Sequence, residues 1–142
     1  MNAEWRWDFA YEILPKMLWA TLNTIMAAGI GYAIAVVVGL IFLIGQRTPY
    51  KVINILVREI VEFIRSTPLL IQLFFLYFVG PQFGIILSAW VTAMITIGLH
   101  FGTYLSEVYR GALEGVPKSQ WEACRALNFT TLYTYRLSLI HI

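Results

Sequence analysis

Two long stretches of this chain contain no Asp, Glu, Lys or Arg: 30 residues between Lys16 and Arg47, and 41 between Arg65 and Glu107. A helix needs roughly 20 mostly apolar residues to cross the hydrocarbon core of a bilayer. Both stretches exceed that, and both are too long and too apolar for the surface of a soluble domain of 142 residues. Composition agrees: 13% of residues are charged and 59% are hydrophobic, whereas an ordinary soluble domain is about 25% charged. This argues against a soluble enzyme, a nucleic-acid-binding domain and a disordered tail. The single cysteine, Cys124, forms no internal disulfide and no multi-cysteine zinc site. His100 and His141 show no ligand spacing. Neither a P-loop nor a G-x-S-x-G nucleophile elbow is present. The chain therefore reads as a non-enzyme without metal or cofactor, and any ATP it depends on is bound by another chain.

The first span is expected at about 17–44. Gly29, Gly31, Gly39 and Gly45 punctuate it, with Ala27, Ala28, Ala33 and Ala35 between them. Small residues of this kind let membrane helices approach closely. The stretch is about twice the length of a signal-peptide core and follows an acidic segment, so it reads as retained. The second charge-free stretch is divided by Gly80-Pro81-Gln82-Phe83-Gly84, a turn signature. Its downstream part, 85–106, is long enough to span alone. Its upstream part must borrow from 52–66, where Arg58, Glu62 and Arg65 share one face at i, i+4 and i+7. One long helix over about 52–79 is the simplest reading, with Pro68 kinking it or marking the start of its deep half.

The fold class expected is thus all-α and membrane-embedded, with three transmembrane helices. Basic residues set the orientation. Arg47, Lys51, Arg58 and Arg65 lie between the first two spans, and Arg110, Lys118, Arg125 and Arg136 follow the third; the N-terminal flank has only Arg6 and Lys16. The 45–65 segment and the tail are expected in the cytoplasm, with the N-terminus and the 80–84 turn outside. Trp5, Trp7, Phe9 and Tyr11 fit an outer interfacial belt. After the third span, a short helix is expected at about 118–135, opened by a capping box of Ser119 and Glu122. It is too polar to span and too apolar to stand bare in water, so it needs a partner surface.

Pro117-Lys118-Ser119-Gln120-Trp121-Glu122-Ala123-Cys124-Arg125-Ala126-Leu127-Asn128 resembles the cytoplasmic EAA loop of ABC importer permeases, particularly the polar amino-acid uptake family. Two further blocks, Glu62 to Leu73 and Tyr104 to Gly111, resemble the same family. The His100 region and Asn128 are similar to permeases for ectoine-type compatible solutes. The resemblance covers about residues 18–136. It implies a partial type I importer permease fold in one domain, 1–142, in the bacterial inner membrane. It also implies a second permease subunit, identical or different, ABC ATPase subunits that bind the ATP, an external solute-binding protein, and amino acids or similar small polar solutes as cargo. The EAA helix would couple to the ATPase through Gln120, Trp121, Glu122, Ala123, Cys124, Arg125, Leu127 and Asn128.

Gln72, His100, Thr103 and Tyr104 are the polar candidates for a substrate path. Glu62, Arg65, Glu107 and Arg110 are candidates for ion pairs at the inner mouth. Cys124 stands for the second alanine of the family motif, Asn128 for its glycine, and Ser66 for a usual glycine. The last residues, Leu137 to Ile142, leave the family pattern where further spans would follow, so a truncated chain is expected. A non-transporting membrane scaffold and a small secondary transporter are the rival readings. The second would need an ion site, and no Asp or Glu lies within the apolar part of any span.

Overall fold

The computed structural model of the chain describes residues 6–130 and 133–135. Helix α1 runs Trp7–Gln46, α2 Lys51–Ser66, α3 Leu69–Phe74, α4 Ala89–Glu114 and α5 Lys118–Ala126. The described residues contain no strand. Helix α1 starts at Trp7 rather than near Met17, with Pro15 inside it. It is the one described helix long and apolar enough to cross a membrane by itself.

Helices α1 and α4 form the centre of the molecule. Their contact is made by small residues: Gly31, Ala35 and Gly39 on α1 are buried, as are Gly98 and Gly102 on α4. Each glycine receives a branched side chain from across the interface. A Cβ added to Gly31 would lie 2.6 Å from Ile97, one on Gly102 2.7 Å from Val38, and one on Gly39 2.9 Å from Leu105. A Cβ on Gly98 would run into Ile34. Lipid offers little hydrophobic incentive for two helices to pair, so close backbone approach and dispersion must hold them. The absent side chains make that approach possible.

The expected single helix over 52–79 is two helices. Chain direction turns by 103° between Lys51–Ser66 and Leu69–Phe83. The break falls at Thr67 and Pro68, both extended (ψ 134° and 135°). Proline drives the preceding residue out of the helical region and cannot donate a helical hydrogen bond, so the helix ends here instead of kinking. Helix α3 widens into a π-turn over Phe75–Val79 and then a 3-10 turn over Gly80–Phe83. Gly84 closes this segment at φ 80°, a left-handed conformation that glycine adopts without cost.

Helix α4 begins at Ala89, not 85. Ser88 caps it by accepting a hydrogen bond from the Val91 amide. By its own composition α4 does not reach the measure of a spanning helix that α1 meets. The cause is a buried polar set of Thr92, Thr96, His100, Thr103 and Ser106. The hydroxyls are satisfied within the helix: Thr96 Oγ1 donates to Thr92 O at 2.7 Å, Thr103 to His100 O at 2.6 Å and Ser106 to Thr103 O at 2.7 Å. Donation to the preceding turn lets a polar side chain sit where water is absent.

Helix α5 is shorter than the expected 118–135. It ends at Ala126 with Leu127 as its C-cap, and Asn128 takes a left-handed φ of 55°. The Phe129 amide donates to Cys124 O and the Asn128 amide to Arg125 O, at 3.0 and 2.9 Å. This is a Schellman stop with Asn in the glycine position. The expected capping box is not formed. Pro117 occupies the N-cap and no side-chain cap bond is made, so Ser119 falls one residue inside the helix and is not its cap.

Enlarging Gly98 will separate α1 from α4. Gly98→Ala is expected to destabilise the protein by about 1–3 kcal/mol, the range for overpacking. Gly29→Ala, where a Cβ meets nothing within 4 Å, is expected to be neutral or slightly stabilising. Thermal unfolding in detergent measures both.

Candidate functional site

At the end of α1, the charged side of α2 and the polar end of α4 converge. Gln46, the last residue of α1, is 2% exposed. Its Nε2 donates to Glu107 Oε1 at 3.1 Å, and its carbonyl accepts from Asn54 Nδ2 on α2. The other Glu107 oxygen accepts from Arg110 Nη2 at 2.7 Å and Nε at 3.1 Å. Arg110 turns its Nη1 to Glu114 at 2.8 Å. Among the described residues Arg110 forms ion pairs with Glu107 and with Glu114. The expected Glu107–Arg110 pair is thus present, whereas Glu62 and Arg65 do not pair with each other. Instead the Arg65 guanidinium lies over the Tyr104 ring, 5.1 Å from its centroid. Around these groups lies a cavity of about 320 Å³, which Arg58, Glu59 and Glu62 also line.

Glu107 lies beyond the expected 85–106 span, at the wet end of α4. The hydrogen bond from Arg110 is the largest influence on its carboxyl and holds it below the usual value of 4.5, with Gln46 and the charges of Arg110 and Arg65 adding to the effect. A depressed carboxyl stabilises the fold above its unfolded-state pKa, and that contribution is lost as pH falls through the folded-state value. Glu107→Gln is expected to flatten the acid side of the stability–pH curve below about pH 4.5, as read by melting temperature against pH.

Of the substrate-path candidates, His100, Thr103 and Tyr104 lie together on α4, while Gln72 sits at the elbow. Gln72 is committed to the elbow: its Nε2 donates to Ile64 O at 2.7 Å and to Thr67 O and Thr67 Oγ1 at 3.0 Å each. These bonds tie the first turn of α3 to the last turn of α2 across the break. An apolar cavity of about 360 Å³ opens beside it, walled by Phe63, Ile71, Phe75, Leu76 and Leu99. His100 and Thr103 are buried against neighbouring helices. The His100 ring packs edge-on to Phe101 and tilted to Tyr104, at 5.4 and 5.3 Å. Tyr104 is 41% exposed and engaged by Arg65.

On α5, Gln120, Trp121 and Cys124 are half-buried, while Glu122, Ala123, Arg125, Leu127 and Asn128 are exposed. Trp121 packs edge-on to Tyr135 at 5.5 Å, and Trp121, Arg125 and Phe129 share a cavity with Arg47 at the end of α1. One side of α5 thus borders a cavity shared with Arg47, and the other is exposed. Two members of the polar end, Gln46 and Asn54, escape a reading based on charge. Gln46 as the one amide closing the 30-residue charge-free stretch was the available signal.

The family model for binding-protein-dependent transport system inner membrane components matches residues 31–140. The chain belongs to this family. It is therefore a membrane protein of the permease class. It is 40% identical over 129 residues to a probable amino-acid ABC transporter permease protein of Sinorhizobium fredii, covering 89% of this chain and 55% of that protein. It is 32% identical over 135 residues to a nopaline transport system permease protein of Agrobacterium fabrum, covering 88% of this chain and 56% of the relative. Among solved structures, an amino acid ABC transporter crystallised with histidines matches with a TM-score of 0.71 and 27% identity, over 91% of this chain and 63% of that one. The chain spans about half the length of the curated relatives it matches. The family of transport components also agrees with the absence of enzyme motifs noted above.

Replacing Gln72 by Leu keeps its bulk but takes the side-chain donor from the Thr67 carbonyl and leaves the Ile64 carbonyl with only the Thr67 hydroxyl, at 3.1 Å. A loss of about 1–3 kcal/mol is expected, the cost of an unmatched buried polar group, with Gln72→Glu failing likewise. Denaturant unfolding measures it.

Proposed function

We propose that this chain is a permease subunit of an ATP-binding-cassette importer for amino acids or similar small polar solutes. A separate ATPase drives it and an extracytoplasmic solute-binding protein feeds it. The observation that carries the reading is the conjunction of the family match with the form of α5: a short helix that shares a cavity with Arg47 at the end of α1 on one side and is exposed on the other. A helix lying beside the end of α1 can pass a push from a docked ATPase towards the membrane helices. Glu122, Ala123 and Leu127 on the outward side would meet the ATPase, while Trp121 and Cys124 seat the helix.

In this reading the N-terminus and the 80–84 turn lie outside the cell, and the α1–α2 junction and α5 lie in the cytoplasm. The surplus of Lys and Arg on those two segments supports that orientation. Helix α1 crosses the bilayer unaided. Helix α4 crosses as its packed partner, with its hydroxyls bonded within the helix and its apolar residues Trp90, Phe101 and Val108 turned outward. Helix α3 enters from the elbow, and α2 lies with Val52, Leu56, Ile60 and Phe63 on an exposed apolar arc, as an amphipathic helix does at a membrane surface. A second permease subunit, identical or different, completes the translocation path.

In the intact transporter, Glu122→Ala is expected to lower solute uptake tenfold or more and to reduce co-purification of the ATPase, with the level of permease in the membrane unchanged. Labelling of Cys124 by an impermeant thiol reagent added from outside the cell, or unchanged uptake in Glu122→Ala, would overturn the reading.

A further inference from the structure

We propose that the cavity between the end of α1 and α5 seats the headgroup of an anionic phospholipid, with Arg47 and Arg125 receiving its phosphate and an acyl chain lying along Val37, Leu40 and Ile44. The inference goes beyond the permease reading and needs only that α1 crosses a bilayer.

Charge sets the class of ligand. The cavity, about 350 Å³, is bordered by Arg47, Trp121, Arg125, Phe129, Thr134 and Tyr135. Two arginines stand there with no carboxylate beside them among the described residues. Neither is ion-paired to a described residue, unlike Arg110, which has Glu107 and Glu114. The end of α1 does little to repel an anion. The Leu43, Ile44 and Gly45 carbonyls accept from the Arg47 and Thr48 amides, and the Gln46 carbonyl accepts from Asn54. Guanidinium groups match phosphate oxygens in geometry as well as in charge. A zwitterionic headgroup would bring its ammonium against the same two cations, so a net anion is selected.

Position sets its source. Val37, Leu40, Ile44 and Arg47 fall at i, i+3, i+7 and i+10, on one face of α1, and all four are exposed. From Val37 to Arg47 the helix rises about 15 Å, at about 1.5 Å per residue. That is the depth of one leaflet, half of a hydrocarbon core of about 30 Å. An arginine thus stands at the head of an apolar track one leaflet deep. A phospholipid carries both complements, a charged head and a chain, whereas a free phosphate has no use for the track. Trp121 and Tyr135, edge-on at 5.5 Å, add the two residue types enriched at the headgroup level of a membrane. Glu122, Ala123 and Leu127, the residues given above to the ATPase, do not border this cavity, so a lipid and the ATPase can be held together.

The test uses the full chain in detergent, titrated with phosphatidylglycerol or with phosphatidylcholine of the same acyl chains and read by native mass spectrometry. The wild type is expected to retain phosphatidylglycerol at least tenfold more tightly than phosphatidylcholine, a preference read without any variant. Arg47→Gln and Arg125→Gln are each expected to weaken retention tenfold or more, with helix content by circular dichroism unchanged. Arg47→Lys, which keeps the charge, is expected to stay within about threefold of the wild type, and Ile44→Ser to weaken retention about threefold or more. Lys118→Gln removes a cation that does not border the cavity and is expected to change nothing. Equal retention of the two lipids, or an equal loss in Lys118→Gln, shows a diffuse attraction of positive charge and overturns the proposal. Displacement of the lipid by millimolar inorganic phosphate assigns the cavity to free phosphate and overturns it too. So does lipid retention by both arginine variants with loss of ATPase co-purification from the intact transporter, which assigns the arginines to the ATPase. The permease reading is tested separately by Glu122→Ala, which leaves this cavity untouched.

Discussion

The whole arrangement depends on how closely two backbones approach. Helices α1 and α4 meet through Gly31, Ala35 and Gly39 on one side and Gly98 and Gly102 on the other, with Ile34, Val38, Ile97 and Leu105 seated over the glycines. In lipid no release of water drives such an association, so contact area at short range must hold it. The contact also sets the axial register of the two helices. That register brings Gln46, at the end of α1, level with Glu107. The polar assembly at the wet end is thus a consequence of apolar packing deeper along the two helices.

The second structural element is the elbow. Proline at 68 ends α2, and Gln72 then holds the broken ends in one geometry by donating to Ile64 and Thr67. The 103° turn lets α2 present its charged side to the ends of α1 and α4 while α3 runs along α4. A straight helix would carry Arg58, Glu62 and Arg65 away from Glu107 and Arg110. The break therefore creates the charged cavity, and the bonds from Gln72 keep it in place.

Much of this was readable from residue order, and the part that was not has identifiable causes. The helical class followed from two charge-free stretches longer than a bilayer requires. The tight packing of the first span followed from its glycine spacing. The Glu107–Arg110 pair followed from i, i+3 spacing. Position 68 was visible as a break, yet its depth was not, because a proline in an apolar run can either kink a membrane helix or end it, and here Gln72 supports the end. Read in one dimension, Gln72 is a polar residue in an apolar segment and suggests a ligand contact; in three it is spent on backbone carbonyls. The polar set of α4 misleads in the opposite direction, lowering its apparent fitness to cross a membrane although its hydroxyls are bonded within the helix. Ser119 and Glu122 had the spacing of a capping box, but Pro117 had already set the helix start. The family resemblance rested on blocks that the match over residues 31–140 largely contains.

The reciprocal seating of α1 and α4 has an evolutionary corollary. Ile34 exists at its present size because Gly98 has no side chain, and Val38 because of Gly102; Ile97 stands in the same relation to Gly31. A change in bulk on either member closes or opens the gap unless the other changes in the opposite sense. These positions will therefore drift as couples, with volume conserved across the pair while the individual residues vary, and Gly29 and Gly111, whose added Cβ would meet nothing within 4 Å among the described residues, are free of that coupling.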